Sequence, residues 1–270
     1  MHPELFVLHF ADREIIIMSY SFFYALAIVF VIVGGYWALL KNGNTHKKIV
    51  CMIGSMGLAG LIGARLLHFV FNLSAYRDGQ LYLFDLHMRG FTIVGGLLFA
   101  IIVGWFMSKK CNVNVWKFGD ILVPFVAFGI AIARVGCFLN GCCFGHTTTL
   151  PWGIKFPILS FAHQYQISHG LSNFFMVLRV HPTQLYEMLY AIIGGVIVII
   201  INRKKIFDGA GILFFGMWFS LFRLFNSFFR QMPDTLKITQ LQYGIIYVGI
   251  FLFCFFIFLY LYRKIKNSVI

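Results

Sequence analysis

Residues 118–139 read FGDILVPFVAFGIAIARVGCFL, and this stretch decides the fold class. A membrane-crossing helix needs about 20 mostly apolar residues, and this run supplies them with a single arginine, Arg134, near its end. Six further runs have the same character: 15–40, 50–73, 91–107, 183–201, 209–229 and 240–262. The chain is 60% hydrophobic and only 11% charged, against about 45–50% and 25% in soluble domains. That balance excludes a disordered or nucleic-acid-coating protein despite the formal charge of +13. The reading is an all-α integral membrane protein with seven transmembrane helices, forming one polytopic domain over residues 1–270. The first run has no short apolar core with a small-residue cleavage site, so it reads as a retained span.

Lys and Arg next to span ends stay cytoplasmic. Lys41, Lys47 and Lys48 follow the first run, and Lys109, Lys110 and Lys117 the third. Arg203, Lys204 and Lys205 follow the fifth, and Arg263, Lys264 and Lys266 the seventh. Seven other basic residues are spread over longer segments of the opposite side. The N-terminus is thus expected outside and the C-terminus in the cytoplasm. Residues 140–182 form the longest non-apolar stretch, too short for a separate soluble domain, and read as an outer cap packed on the bundle. A second outer stretch, 74–89, carries Tyr76, Tyr82 and Phe84 and is expected along the interface.

The remaining basic residues, Arg65, Arg134 and Arg223, lie inside expected spans. A central charge costs at least about 2.5–3.5 kcal/mol and marks a functional candidate. Snorkelling from a span end is the ordinary alternative, above all for Arg65. Their own spans offer no obvious acidic partner, so inward-facing, unpaired guanidinium groups are expected. A phosphate suits their planar fork, and the phospholipid headgroups of the surrounding membrane are its nearest source.

Four segments concentrate polar groups. Residues 133–153, ARVGCFLNGCCFGHTTTLPWG, end a span in Gly136, Asn140, Gly141 and Gly145. Irregular backbone at such depth is tolerated only inside protein or along a cavity, which favours a pocket over mere tight packing. Residues 181–187, HPTQLYE, start a helix at Pro182 and project Gln184, Tyr186 and Glu187, either as an entrance network or as catalytic groups. Residues 223–234, RLFNSFFRQMPD, set Arg223 and Arg230 seven apart, on one helical face. Residues 90–96, GFTIVGG, carry paired glycines that permit close helix contact.

RVGCFLNG…G…LPWGIKFP, then HPTQLYE, then FR…FFRQ-PD resembles the phosphatidylglycerol–prolipoprotein diacylglyceryl transferase family. MSYSFFYALA, GARLLHFVFN, GFTIVGGLL and TQLQ fall in the family's order, so the resemblance covers about residues 14–262. It implies a multi-pass protein of the bacterial cytoplasmic (inner) membrane and no cofactor. It also implies two substrates, phosphatidylglycerol and a prolipoprotein signal peptide with its lipobox cysteine. The diacylglyceryl group would pass to that thiol at the outer leaflet, releasing glycerol phosphate. Arg134 and Asn140 match the family's signature, with Gly136, Gly141 and Gly145 in its turns; Arg223 matches the sixth-span arginine and Tyr20 the first-span tyrosine. By this resemblance Arg134 and Arg223 are catalytic. The substrate-binding candidates are Tyr20, Arg65, Asn140, Gly136, Gly141, Gly145, Gln184, Tyr186, Glu187 and Arg230.

Three positions depart from the family pattern. Val94 stands where a histidine is usual, Cys142 where a glutamate follows Asn–Gly, and Ser227 where a glutamate follows the sixth-span arginine. Another base must then serve, and His146 and His181 rank above His68. These departures also motivate two alternatives: a same-fold enzyme with another lipid donor or acceptor, and a non-catalytic lipid- or anion-binding protein. Cys51, Cys111 and Cys254 read as small apolar residues. Cys137, Cys142 and Cys143 read as free thiols and no metal is expected. A disulfide from Cys137, a Cys137–Cys142–Cys143–His146 metal site and a nucleophilic thiol are the alternatives.

Overall fold

The long apolar runs fold as helices because a helix satisfies every backbone N–H and C=O within its own segment, a requirement wherever lipid replaces water. The computed structural model describes residues 3–10, 13–79, 92–232 and 240–269. Its long helices are α1 Ser19–Lys41, α2 His46–Phe71, α4 Ile93–Lys110, α5 Val115–Asn140, α7 Thr183–Lys204, α8 Ala210–Ser227 and α9 Gln240–Val269. Two short helices, α3 Leu73–Arg77 and α6 Phe161–Ser168, lie between them. Among the described residues, six helices are long and apolar enough to cross a membrane: α1, α2, α5, α7, α8 and α9. Their outer faces carry exposed large apolar side chains such as Trp37, Leu58, Leu189 and Phe253, which suit lipid and not water. The protein is a multi-pass membrane protein.

The first expected span begins too early. Residues 15–18 belong to strand β2, Arg13–Met18, which pairs antiparallel with β1, Glu4–Phe10, in the register Val7 opposite Ile16. An apolar β-branched run such as Ile15–Ile16–Ile17 reads equally as strand or helix by pattern alone, and here the neighbouring apolar strand takes it. The start of the third expected span and most of the outer stretch 74–89, with Tyr82 and Phe84, lie outside the described residues.

The chain divides into two compact units, Met1–Gly35 with Gly119–Ile270, and Tyr36–Phe118. In the second unit α2 and α4 meet through glycines, as the GFTIVGG pattern predicts. A Cβ on Gly63 would sit 2.6 Å from the Gly95 carbonyl, and one on Gly96 would sit 3.1 Å from that of Gly60. In the first unit Gly136 lets α5 touch α1: an added Cβ would lie 2.8 Å from the Phe23 Cβ and 3.2 Å from the Ser19 carbonyl. Val123 and Ala127 of α5, Val198 of α7 and Phe215 of α8 form its apolar core.

Asp120 knots the basic end of this unit. Its carboxylate accepts from the Gly209 N–H at 2.6 Å and the Ile212 N–H at 2.8 Å, satisfying donors that the first turn of α8 leaves open. The Asn202 amide donates to the Asp120 carbonyl at 2.6 Å, adding α7 to the same knot. With α5, α7 and α8 fixed at this end, their other ends hold a defined geometry.

Residues 141–182 form the cap. Phe144, Phe156, Ala162 and Val180 make its small core. Gln166 clamps Leu178 twice, donating to its carbonyl at 3.1 Å and accepting from its N–H at 3.0 Å. Cap and bundle meet where the Gly145 N–H donates to the His181 carbonyl at 2.9 Å and the His146 N–H to the Phe229 carbonyl at 2.8 Å.

Candidate active site

Glu187 lies one turn into α7 and is buried. Its carboxylate binds three guanidinium groups: Arg134 of α5 through Nε, Arg223 of α8 through Nη1, and Arg230 through Nη1 at 3.3 Å. The Asn226 amide donates to the same carboxylate oxygen as Arg223, at 3.0 Å. Arg134 and Arg223 are therefore not the unpaired cations their own spans suggest. Their partner sits on a neighbouring helix, which no within-span reading can supply. Arg230 also departs from the expected helical face: α8 ends at Ser227, and Arg230 instead pairs its backbone with Gly145. Both arginines still reach Glu187.

Burying a charge needs a partner, and one carboxylate cannot neutralise three guanidinium groups. Two positive charges stay uncompensated among these four side chains, so the cluster favours an anion. Arg223 is held from its other side by α9. It donates through Nη2 to the Tyr243 hydroxyl and through Nε to the Tyr247 hydroxyl at 3.4 Å, with both rings about 5.5 Å from the guanidinium carbon. Such contacts fix the direction of the fork.

The Asn140 end of α5 supplies the rest. Gly141 ends the helix with φ +72°, a left-handed value suited to glycine. Thr183 Oγ1 and Gln184 Nε2 donate to the Cys143 and Cys142 carbonyls, both at 2.6 Å, fastening the turn to α7. Among the described residues the side-chain oxygens of Asn140 and Gln184 are buried without a hydrogen-bond partner, a costly state that a ligand's donor would relieve. Gly145 is where a Cβ would collide with His181, at 2.6 Å from its Cβ.

A family model described as prolipoprotein diacylglyceryl transferase matches residues 7–262. The chain belongs to the prolipoprotein diacylglyceryl transferase family. It is 31% identical over 249 residues to the phosphatidylglycerol–prolipoprotein diacylglyceryl transferase of Photorhabdus laumondii subsp. laumondii, covering 86% of this chain and 83% of that one. The protein of the same name from Proteus mirabilis is 30% identical over 245 residues, covering 86% and 82%. That from Buchnera aphidicola subsp. Schizaphis graminum is 27% identical over 254 residues, covering 86% and 92%.

The structure brings some of the predicted transferase residues together and leaves others apart. Arg134, Arg223, Arg230 and Glu187 converge, with Gln184 and Asn140 at the adjoining turn. Tyr186 points elsewhere: its hydroxyl accepts from Trp152 Nε1 at 2.9 Å and lies 3.2 Å from His181 Nδ1, so it ties the cap to α7. His181 is buried and His146 exposed. Burial, and then the nearby His146, hold the His181 pKa below its ordinary value. Tyr20 packs its ring, tilted, against that of Tyr24 on α1, and the Tyr24 hydroxyl lies 3.9 Å from Cys137 Sγ. Arg65 and His68 belong to α2 in the second unit, where His68 Nδ1 is 3.0 Å from the Tyr76 hydroxyl. Tyr243, Tyr247 and Asn226 went unread in the sequence. Their signals were two tyrosines four apart at the start of an apolar helix, and an amide three residues after Arg223.

Proposed function

We propose that this chain transfers the diacylglyceryl group of phosphatidylglycerol to the thiol of the lipobox cysteine in a prolipoprotein signal peptide. The reaction takes place at the outer leaflet of the bacterial cytoplasmic membrane and releases glycerol phosphate. The observation that carries this reading is the cluster of three arginines around one buried carboxylate, in a chain of this family.

The acceptor sulfur attacks the glyceryl carbon that bears the phosphate ester. A C–S bond forms as the C–O bond breaks, and the electron pair goes to the phosphate oxygen. Arg134 and Arg223 are the catalytic pair, because they meet the charge that grows on the leaving phosphate; Arg230 holds the diester before reaction. The unpaired oxygens of Asn140 and Gln184 accept from the headgroup hydroxyls. Gly141 and Gly145 shape the turn and Gly136 seats α5 against α1, while Tyr20 on α1 and Arg65 on α2 contact lipid or peptide. His181, whose burial lowers its proton affinity, and the exposed His146 carry the released proton outward. The topology is seven spans with the N-terminus outside, supported by the grouping of basic residues after alternate spans.

The test is conversion of a lipobox peptide by membranes containing the protein and labelled phosphatidylglycerol, with Arg134→Ala and Arg223→Ala as controls. Lipidated peptide is expected with the parent chain and not with either variant. No product, in an assay where another family member works, refutes the reading. Complementation of a cell depleted of its own transferase, with the parent and with Val94→His side by side, is the cellular form. Rescue by the substituted chain alone would mean that the parent does not perform the standard reaction.

A further inference from the structure

Three thiols meet at the end of α5. The Sγ atoms of Cys137, Cys142 and Cys143 all lie within 4.8 Å of one another, and all three cysteines are free. Cys137 is fully buried and the other two are half-buried. His146, the fourth member suggested by sequence, is not part of the group. A zinc–sulfur bond is about 2.3 Å, so three sulfurs on one such ion stand about 3.8–4.0 Å apart. The triangle is therefore already close to the size of a metal site.

The turn that brings the thiols together is held for this shape. Cys143 has φ +61°, a left-handed conformation rarely adopted by residues with a side chain. Its carbonyl and that of Cys142 are each fastened by a 2.6 Å hydrogen bond from α7. Arg134 Nη1 lies 3.3 Å from Cys137 Sγ, the kind of outer contact that orients a metal-bound thiolate and balances its charge. The same guanidinium group binds Glu187 through Nε, so one residue joins the sulfur triangle to the anion site.

We propose that Cys137, Cys142 and Cys143 form a three-thiolate site for a zinc-type divalent cation, whose open fourth position takes the acceptor's thiol. This rests on the transferase reading above and adds to it the means of activating the nucleophile. Three protein ligands with an open position are the pattern of a catalytic zinc centre, and a thiol on such an ion is deprotonated outright. On loading, the cation displaces three thiol protons to solvent. The acceptor R–SH then binds as R–S⁻, its proton also leaving to solvent. The sulfur attacks the glyceryl carbon, and the departing phosphate carries away the electron pair. The cation changes neither charge nor oxidation state. Glu187 is a poor base for this step because it is already bound by three guanidinium groups. A free thiol with a pKa of about 8.5 is only about 3% thiolate at pH 7, so metal activation raises the reactive fraction roughly thirtyfold.

The full chain, purified in lipid nanodiscs from zinc-supplemented cells, is examined by elemental mass spectrometry. Equimolar zinc is expected, and its loss in Cys142→Ser and Cys143→Ser. Thermal midpoints near that of the parent would show that these variants still fold. Cobalt exchanged for zinc should give thiolate-to-cobalt charge-transfer absorption. A lipobox peptide should alter that spectrum, and the same peptide with serine for its cysteine should not. Chelation should lower transfer at pH 7 by roughly tenfold or more, with recovery as pH approaches the thiol's own pKa of about 8.5. Metal content no higher than in the triple serine variant, binding of monovalent copper alone, or a cobalt spectrum blind to the peptide would each overturn the proposal. Transfer at full rate without metal would overturn it and leave the transferase reading standing. Equimolar zinc and a peptide-sensitive spectrum without any lipid transfer would do the reverse.

Discussion

Replacing Glu187 with glutamine tests the centre of the structure with almost no change of shape. The carboxylate receives Arg134 Nε, Arg223 Nη1, Arg230 Nη1 at 3.3 Å and Asn226 Nδ2 at 3.0 Å. Glutamine keeps one acceptor oxygen and turns the other position into a donor that faces a guanidinium group. Three buried or half-buried cations then have no counter-charge. Removing one partner of a buried ion pair costs about 3–5 kcal/mol, and in a domain of this size that lowers the thermal midpoint by roughly 6–20 °C. Cys137 is fully buried and the other five cysteines are half-buried, so the rise in fluorogenic-maleimide reaction above the folded-state level reports unfolding in detergent. Combining Glu187→Gln with Arg230→Gln should recover part of the loss, because the two sites share a partner and couple by about 0.5–3 kcal/mol. A midpoint within 1–2 °C of the parent, as surface changes of about 0.5 kcal/mol give, would refute the claim that Glu187 holds the cluster together.

Lysine at position 134 or 223 keeps the charge and loses the fork, and transfer to a lipobox peptide should fall by about 10²–10³-fold in rate. Gly145→Ala drives a Cβ to 2.6 Å from the His181 Cβ and should cost about 1–3 kcal/mol; Gly57→Ala, with open space around it, should be neutral or stabilising by up to about 1 kcal/mol, both read from the same melt. The His181 pKa is lower folded than unfolded, so the folded state favours its neutral form. Its share of stability is present above about pH 6.5 and is lost as pH falls through the folded value; His181→Gln should flatten the midpoint-against-pH curve in that acid range.

The helices were legible because lipid imposes one requirement on every residue of a span, and a run of apolar side chains records it. The strand at residues 15–18 was not, since Ile–Ile–Ile carries no period and its partner is another short apolar strand, Glu4–Phe10. Arg134, Arg223 and Glu187 could each be picked out as costly residues in apolar surroundings. Their convergence could not, because it depends on α5, α7 and α8 crossing at the right depth. The Asp120 knot that fixes that depth lies at the opposite end of the unit from the cluster it positions. The thiol triangle was half legible: the closeness of Cys137, Cys142 and Cys143 in the chain was, but not the left-handed turn at Cys143 that folds the other two sulfurs back.

A single buried glutamate among three arginines also explains how the site tolerates being empty. Three guanidinium groups without any anion would repel one another and pull water inward, and a site built that way would rearrange on every cycle. Glu187 holds their forks in place and leaves a net positive field, so an arriving phosphodiester meets donors that are already oriented. Preorganised donors need no further reorganisation as charge develops. Each phosphate that enters brings the cluster nearer to neutrality, and the second charge gained when the diester becomes a monoester brings it nearer still. On this reasoning the product should bind the cluster more tightly than the substrate headgroup does. Glycerol phosphate should therefore inhibit competitively against phosphatidylglycerol, more strongly than the neutral-headed diacylglycerol. Inhibition should weaken in Arg230→Gln, which removes one of the two surplus charges. If glycerol phosphate inhibits no better than glycerol, the surplus charge does not face the leaving group, and the arginines serve the fold alone.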